Sequence, residues 1–329
     1  MPKNGASIKN FYIVKKIKEL TNNLSIIDTE RWKQNPLILF RLFLTIIFNR
    51  KAKYILSLNN NSAYRLLAIF NYLPFKRCVF YWVIGGSIAE WIQTGKVSRK
   101  VYNVVNTFLV EGKSMVDTLS CCGFNNAIYI PNFKKITFIP ELPNRQGVFK
   151  FIFLSRINPH KGCDYILSVV ERLNEKYSDR FIVDFYGEVA DEYSSFLPRV
   201  ESVKNIDYKG FIDLRENVNY NILAQYDAML FPTFWHGEGF PGILVDAFVG
   251  GLPVIASDWH LNSDIITHGR TGFLFPVHDE DSLYTIMENC ILFPETIRNM
   301  SSDCQLQSNN YDIDFVLTPE LFKKIGIVC

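Results

Sequence analysis

From residue 149 onward the chain alternates short apolar runs with longer stretches of helical period, a pattern that few architectures accommodate. Phe149–Leu154 reads as a buried strand, and the loop Ser155–Gly162 leads from it into a segment with apolar residues at Ile166, Val169, Val170 and Leu173. Phe181–Tyr186 is the next strand, ended by Gly187. Ala228–Phe231 is another, ended by Pro232. A helix opening near Pro241 and Gly242 carries Leu244, Val245, Ala247 and Phe248. Pro253–Ala256 and Gly272–Phe275 are short strands, and a helix follows from about Asp281 to Ile291. Strands alternating with helices imply a parallel sheet covered on both faces.

The first half is less regular. Ile8, Phe11, Tyr12, Ile17 and Leu20 suggest a helix after Ser7. Tyr54–Leu58 and Cys78–Ile84 read as strands, the second ended by Gly85 and Gly86. Val101–Val110 holds a third strand and Ala127–Ile130 a fourth. The proline-bearing stretch Pro140–Gly147 is expected to be the interdomain linker, with boundaries at 1–143, 144–310 and a tail or helix at 311–329. A doubly wound domain begins with a strand before its glycine turn. Here only four residues precede Gly5, so that strand is missing. The favoured expectation is a start upstream of Met1, because a missing central strand would leave neighbouring backbone groups unpaired.

Composition narrows the partners. The net charge of +2 conceals an asymmetry: residues 1–150 hold 22 Lys and Arg against 7 Asp and Glu, the remainder 13 against 26. A basic half attracts a phosphorylated substrate, an anionic membrane or nucleic acid. No helix-turn-helix, zinc finger or RNA-binding motif is present, so no nucleic-acid partner is expected. Seven scattered cysteines include no Cys-x-x-Cys pair, which points to a reducing, cytosolic compartment and no zinc site. No signal peptide or run long enough to span a membrane is evident.

Two segments concentrate the chemistry. In Gly237–Phe248, Glu238 follows a strand, Gly239 and Gly242 allow close backbone approach to a ligand, and the helix start presents free N–H groups that favour an anion such as a diphosphate. Asp246, inside the helix, offers a carboxylate suited to a ribose diol. In Ser155–Gly162, Arg156 and Lys161 stand where a sheet of this kind binds ligands, beyond the carboxyl ends of its strands. Two cations there can neutralise a diphosphate leaving group as its charge develops. His160 by itself is uninformative.

Together these segments resemble glycosyltransferase family 4, of the GT-B fold, and the resemblance spans nearly the whole chain. Glu238 and Asp246 stand at the places of its E-x7-E signature. They are followed by Ala247, Gly251, Pro253 and Val254, as in its EAMACGxPVI run. Arg156 with Lys161 and Gly162 matches its R-x4-K-G. Ile130, Pro131 and Asn132 resemble its viPNG element, Gly210 and Phe211 the turn bordering the base pocket, and Gly5 its N-terminal glycine loop. The fold so implied is α/β, with two Rossmann-like domains facing across a cleft, the N-terminal one lacking its first strand. Residues 1–143 would be the acceptor side and 144–310 the nucleotide-sugar side.

The resemblance further implies a retaining, metal-independent transfer. Glu238 would contact the donor sugar, Asp246 the ribose, and Arg156 and Lys161 the diphosphate. Backbone groups of Gly239, Phe240, Pro241, Gly242, Ile243 and Leu244 would complete the cradle, with Gly5, Gly187 and Phe211 among the nucleotide contacts. No cofactor or metal is expected. The donor would be a nucleotide-diphosphate sugar, uridine ahead of guanosine. The acceptor would be a lipid-diphosphate-linked saccharide of bacterial capsule, exopolysaccharide or O-antigen synthesis, met at the inner face of the cell membrane.

Two departures stand out. Asp246 replaces the family's second Glu and is shorter by a methylene, about 1.5 Å of reach. No histidine precedes His160, so a histidine found after the second strand in many members is absent; Trp82, Gly85 and Gly86 either shape the acceptor side or, for Trp82, belong to the core. The segment between Trp32 and Tyr54, apolar in the middle with Lys33, Arg41, Arg50, Lys51 and Lys53 around it, reads either as a membrane-surface element or as a core helix with solvated ends. Two rival functions remain open: a two-Rossmann nucleotide-sugar epimerase, and a non-catalytic relative that binds nucleotide sugar or a partner.

Overall fold

The computed structural model describes residues 5–29, 32 and 34–328. Two compact units emerge. The first comprises residues 1–131 with 316–329, the second residues 132–315.

The first unit opens with α1 (Gly5–Leu20) and α2 (Leu37–Phe48). Then come β1 (Lys53–Asn59), α3 (Asn60–Asn71), β2 (Cys78–Ile84), α4 (Ile88–Gln93), β3 (Val105–Val110), α5 (Lys113–Cys121) and β4 (Ala127–Tyr129). Its four strands pair in parallel in the order β1-β2-β3-β4. β2 is the interior strand richest in large apolar groups, and Phe80, Tyr81 and Trp82 are all buried. Among the described residues no strand precedes α1. The sheet nevertheless has no internal gap, because its strands pair consecutively and β1 forms the edge. Residues 316–329 belong here too, and Gly326 lies against Phe80.

α2 departs from a core helix. Its sequence is almost wholly apolar, yet only Ile46 is buried; Leu37 is 71% exposed, Phe40 59% and Phe48 74%. The helix is held at its C-terminal end. The buried Arg77 guanidinium donates to the Ile46 carbonyl at 3.1 and 3.0 Å, satisfying carbonyls that a helix end leaves without partners. Among the described residues no helix is long and apolar enough to cross a membrane.

The second unit contains β5 (Phe149–Leu154), α6 (Cys163–Tyr177), β6 (Phe181–Tyr186), α7 (Phe196–Ser202), β7 (Ile206–Tyr208) and α8 (Tyr220–Leu223). β8 (Ala228–Phe231), α9 (Gly242–Val249), β9 (Val254–Ser257), α10 (Asn262–Ile265), β10 (Gly272–Phe275) and α11 (Glu280–Leu292) follow. Its six strands are parallel, in the order β10-β9-β8-β5-β6-β7. Phe149, Phe151 and Phe153 alternate onto one face of β5 and pack with Phe181, Phe185 and the apolar stripe of α6. Each such buried ring is worth about 1.5–3 kcal/mol over exposure. An exposed ion pair such as Arg215–Asp213 is screened by water, so this core, and not the surface charges, holds the unit together.

The units divide at Pro131/Asn132, earlier than the expected 143/144, and the 311–329 tail is split between them. The reason is where the backbone and side chains bond. Ile136 N–H donates to Asp312, the Pro140 carbonyl accepts from Gln305, and Arg145 donates to the Ala224 carbonyl. The stretch expected to be a linker is thereby fastened to the second unit.

Candidate functional site

The strand order of the second unit reverses beside β5. From β5 the chain runs outward through β6 and β7, then returns to lay β8 on the other side of β5. The loops after β5 and β8 therefore flank a topological switch point, where parallel sheets leave room for a ligand. The polar groups of interest converge at this rim. A shallow depression elsewhere, lined by Lys150, Ile182, Asp184 and Tyr226, sits toward the other ends of β5 and β6 and offers no comparable constellation.

The loop after β5 carries Lys161, and the loop after β8 carries Glu238. The two side chains form an ion pair that is largely shielded from water, and Thr233 donates to the same Glu238 oxygen at 3.2 Å. Lys161 is positioned by the turn behind it. Gly162 has φ +73°, and a Cβ there would come within 2.2 Å of the Pro232 carbonyl oxygen, so the turn after β5 can pass under β8 only as glycine. Gly187, at the end of β6, is constrained likewise: a Cβ would lie 1.8 Å from the Ser155 carbonyl oxygen.

Asp246 is placed differently. It lies within α9, is 3% exposed, and has both carboxylate oxygens engaged. The Tyr220 hydroxyl donates to Oδ1 at 2.7 Å and the Lys134 ammonium pairs with Oδ2. Burial, with the Asp246 charge beside it, raises the Tyr220 hydroxyl far above the ordinary phenol range, so it stays a donor. Lys134 is fixed from behind, since its backbone N–H donates to the Tyr311 carbonyl at 2.9 Å and its own carbonyl accepts from Ile313 at 2.8 Å. Its side chain passes the start of α9, with Cε 3.4 Å from where a Cβ on Gly242 would stand. Asn132 donates to the Phe240 carbonyl at 3.2 Å, tying the same segment to the glycine loop.

Of the expected residues, Lys161 and Glu238 are brought into contact; Arg156, Gly239 and Gly242 follow the carboxyl ends of β5 and β8 in the chain, and Asp246 lies within α9 with partners of its own. Arg156 is exposed and makes no ion pair among the described residues. Phe240 and Leu244 are buried, Phe240 against Tyr311 with ring centroids 5.4 Å apart, so only their backbone groups can face a ligand. Pro241 precedes α9 and its side chain makes no capping bond, which leaves the first-turn N–H groups, including that of Ile243, without a side-chain cap. Phe211 is exposed beyond β7. Gly5 begins α1, in the first unit. Lys134, Tyr220 and Thr233 were not among the residues singled out from sequence. Lys134 stands two residues after Asn132 of the viPNG-like element, which is the signal that could have found it.

The arrangement presents positive charge from Lys161, Arg156 and a helix start around two carboxylates that are already balanced by lysines. Such a rim suits an anionic ligand with hydroxyl groups. Among the described residues no three His, Cys, Asp or Glu side chains converge to hold a metal ion.

Comparison with known proteins gives the family and the fold. Residues 134–303 match the model of the family described as glycosyl transferases group 1. An uncharacterized 41.2 kDa protein in the cps region of Klebsiella pneumoniae is 24% identical over 211 residues, 63% of this chain and 51% of that protein. The 2-deoxystreptamine N-acetyl-D-glucosaminyltransferase of Niallia circulans is 28% identical over 194 residues, covering 56% of this chain and 47% of the enzyme. The chain thus spans about half the length of these curated relatives. Among solved structures, Anabaena Alr3699/HepE in complex with UDP and glucose superposes with a TM-score of 0.72 at 15% identity, over 100% of this chain and 98% of HepE, a likeness of fold. With the family model covering more than half of the sequence, and the two parallel α/β sheets of its solved relatives present here, the chain belongs to the glycosyl transferases group 1, of the GT-B type.

Proposed function

We propose that this chain transfers a sugar from a nucleotide-diphosphate donor, a UDP-sugar ahead of a GDP-sugar, to a lipid-diphosphate-linked saccharide in bacterial surface-polysaccharide synthesis. The observation that carries the reading is the Lys161–Glu238 pair at the switch point, beside the uncapped start of α9. In this reading Arg156, Lys161 and the α9 N–H groups hold the diphosphate. Asp246 receives the ribose hydroxyls on lone pairs that Tyr220 and Lys134 leave open, and Glu238 receives the donor sugar hydroxyls. The acceptor hydroxyl attacks the anomeric carbon as its bond to the diphosphate oxygen breaks, on the same face. Its proton passes to the departing phosphate. The cations offset the charge that grows on that phosphate, a task that elsewhere falls to a metal ion. A UDP-bound structural neighbour and a relative from a cps region support the donor class and the pathway setting.

The exposed face of α2 supports a membrane-surface acceptor. Leu37, Phe40, Phe43 and Phe48 face outward beside Arg50 and Lys51, a combination that inserts apolar groups while attracting anionic headgroups. The protein would then act peripherally on the inner face of the cell membrane.

Incubation with UDP-sugars and a lipid-diphosphate-linked acceptor, followed by NMR of the product, tests the proposal. The expected product keeps the donor's anomeric configuration and forms undiminished in a chelator. An inverted product, or turnover restored only by divalent metal, would refute those parts of it. For the membrane part, co-sedimentation with vesicles is expected to rise with anionic lipid and to fall in a Phe40→Ser/Phe43→Ser variant. Binding indifferent to lipid charge, or absent at low salt, would count against it.

A further inference from the structure

Beyond Glu238, the same rim carries a group of aromatic and imidazole rings that the proposed donor contacts do not use. Trp235 and His236 follow β8, Trp259 follows β9, and His160 stands in the loop after β5. The rings of His160 and Trp235 lie 5.5 Å apart, those of His236 and Trp259 5.3 Å. The two loops are tied together, because the Trp259 indole N–H donates to the Trp235 carbonyl at 2.9 Å. Trp235 is 41% exposed. Its indole lies over the next turn so closely that a Cβ on Gly237 would stand 2.4 Å from its ring nitrogen. Glu238 is the following residue, and its N–H donates to the same Trp235 carbonyl at 3.0 Å. A partly exposed indole therefore stands three residues before Glu238, in a turn closed by the Glu238 backbone.

The strand order says what should meet that indole. Gly187 and Phe211 follow β6 and β7, on one side of β5, whereas Trp235 and Trp259 follow β8 and β9, on the other. The proposed diphosphate contacts lie at the switch point and the proposed sugar contact, Glu238, is three residues from Trp235, so a pyranose linked beyond the diphosphate meets the loop that carries the rings. We infer that Trp235, supported by Trp259 and flanked by His160 and His236, is a stacking platform for a pyranose ring; the inference rests on the nucleotide-sugar reading above. A pyranose has C–H bonds along one face and hydroxyls around its edge. The electron-rich face of an indole attracts the first, while imidazoles and a carboxylate bond the second. An alkyl chain would find charged and hydrogen-bonding groups here in place of a dry groove. The pyranose belongs either to the donor or to the acceptor, and the experiment separates the two.

Calorimetry with UDP, UDP-glucose, UDP-galactose and UDP-N-acetylglucosamine would be run on the wild type, Trp235→Ala and Trp235→Tyr. Saturation-transfer NMR with the methyl glycosides of the same sugars would accompany it. If the platform holds the donor sugar, Trp235→Ala weakens the best UDP-sugar roughly tenfold, leaves UDP within about twofold, and is largely rescued by Trp235→Tyr. If it holds the acceptor sugar, UDP-sugar affinity stays and the glycoside signal seen in the wild type is lost in Trp235→Ala and regained in Trp235→Tyr. Either result supports the platform. Unchanged UDP-sugar affinity together with an unchanged glycoside signal overturns it. Should the wild type bind no UDP, the donor reading fails separately, and the glycoside spectra alone decide: a signal abolished by Trp235→Ala sustains the platform, and no signal in the wild type overturns it.

Discussion

Glu238 and Asp246 are two carboxylates of one short segment, each paired with a lysine, and the structure treats them in opposite ways. Glu238 sits on a loop after β8, next to exposed rings and a glycine, and its partner Lys161 comes from the neighbouring loop after β5. Asp246 sits inside α9 with Tyr220 and Lys134 closing on its two oxygens. Both carboxylates are shielded and need a counter-charge, but Asp246 has a partner from the fold on each oxygen, whereas Glu238, on a loop, can exchange partners with an incoming ligand. The lesson is that residues matched to one signature need not share one physical role: Asp246 serves the fold as well as any ligand, and Glu238 serves the rim.

Three substitutions would break or sharpen that contrast. The largest effect on stability is expected from Asp246→Ala, which leaves the buried Tyr220 hydroxyl without its acceptor and the partly exposed Lys134 ammonium without its counter-charge; unfolding free energy should fall by about 2–4 kcal/mol in denaturant titration. A loss below about 1 kcal/mol would mean that the pair is not structural. Next, Glu238→Gln keeps an oxygen for Lys161 and Thr233 but removes the counter-charge of a buried ammonium, so stability should fall by less than in Asp246→Ala, UDP affinity should stay close to the wild type, and transfer should drop by roughly 10²–10³ in kcat. An equal loss of stability in this variant would erase the distinction between the two acids. The smallest effect belongs to Thr233→Val, which removes one hydrogen bond to Glu238 and should cost about 1 kcal/mol, read as a roughly fivefold fall in kcat/KM with stability little changed.

The contrast also marks what a sequence can disclose. β5, β6, β8 and β9 were legible because fully buried parallel strands are short apolar runs, and α6 because its buried residues keep helical spacing. β7 was not, since Ile206–Tyr208 is three residues long with a charge in the middle. α3 was hidden by its own beginning: the polar run from Asn59 to Ser62 resembles a loop, yet Asn59 accepts from the Ser62 N–H at 3.0 Å and is the cap that starts the helix. At the site, Lys161 and Glu238 could be singled out because each stands in a local pattern of glycines. The partners of Asp246 could not, because Tyr220 and Lys134 lie 26 and 112 residues away and meet it only through the packing of the second unit. The exposed face of α2 was likewise undecided in sequence, where an apolar helix reads alike whether buried or bare.

The central claim is that the rim between β5 and β8 binds a nucleoside diphosphate. Thermal melting in the presence of UDP, GDP, ADP and CMP tests it most directly. At ~100 times its dissociation constant a ligand adds about 2.7 kcal/mol to stability. One of the diphosphates should raise the wild-type melting temperature accordingly, CMP should not, and Arg156→Ala should weaken the effect without lowering the unliganded melting point. A cooperatively melting wild type that no diphosphate stabilises would contradict the account.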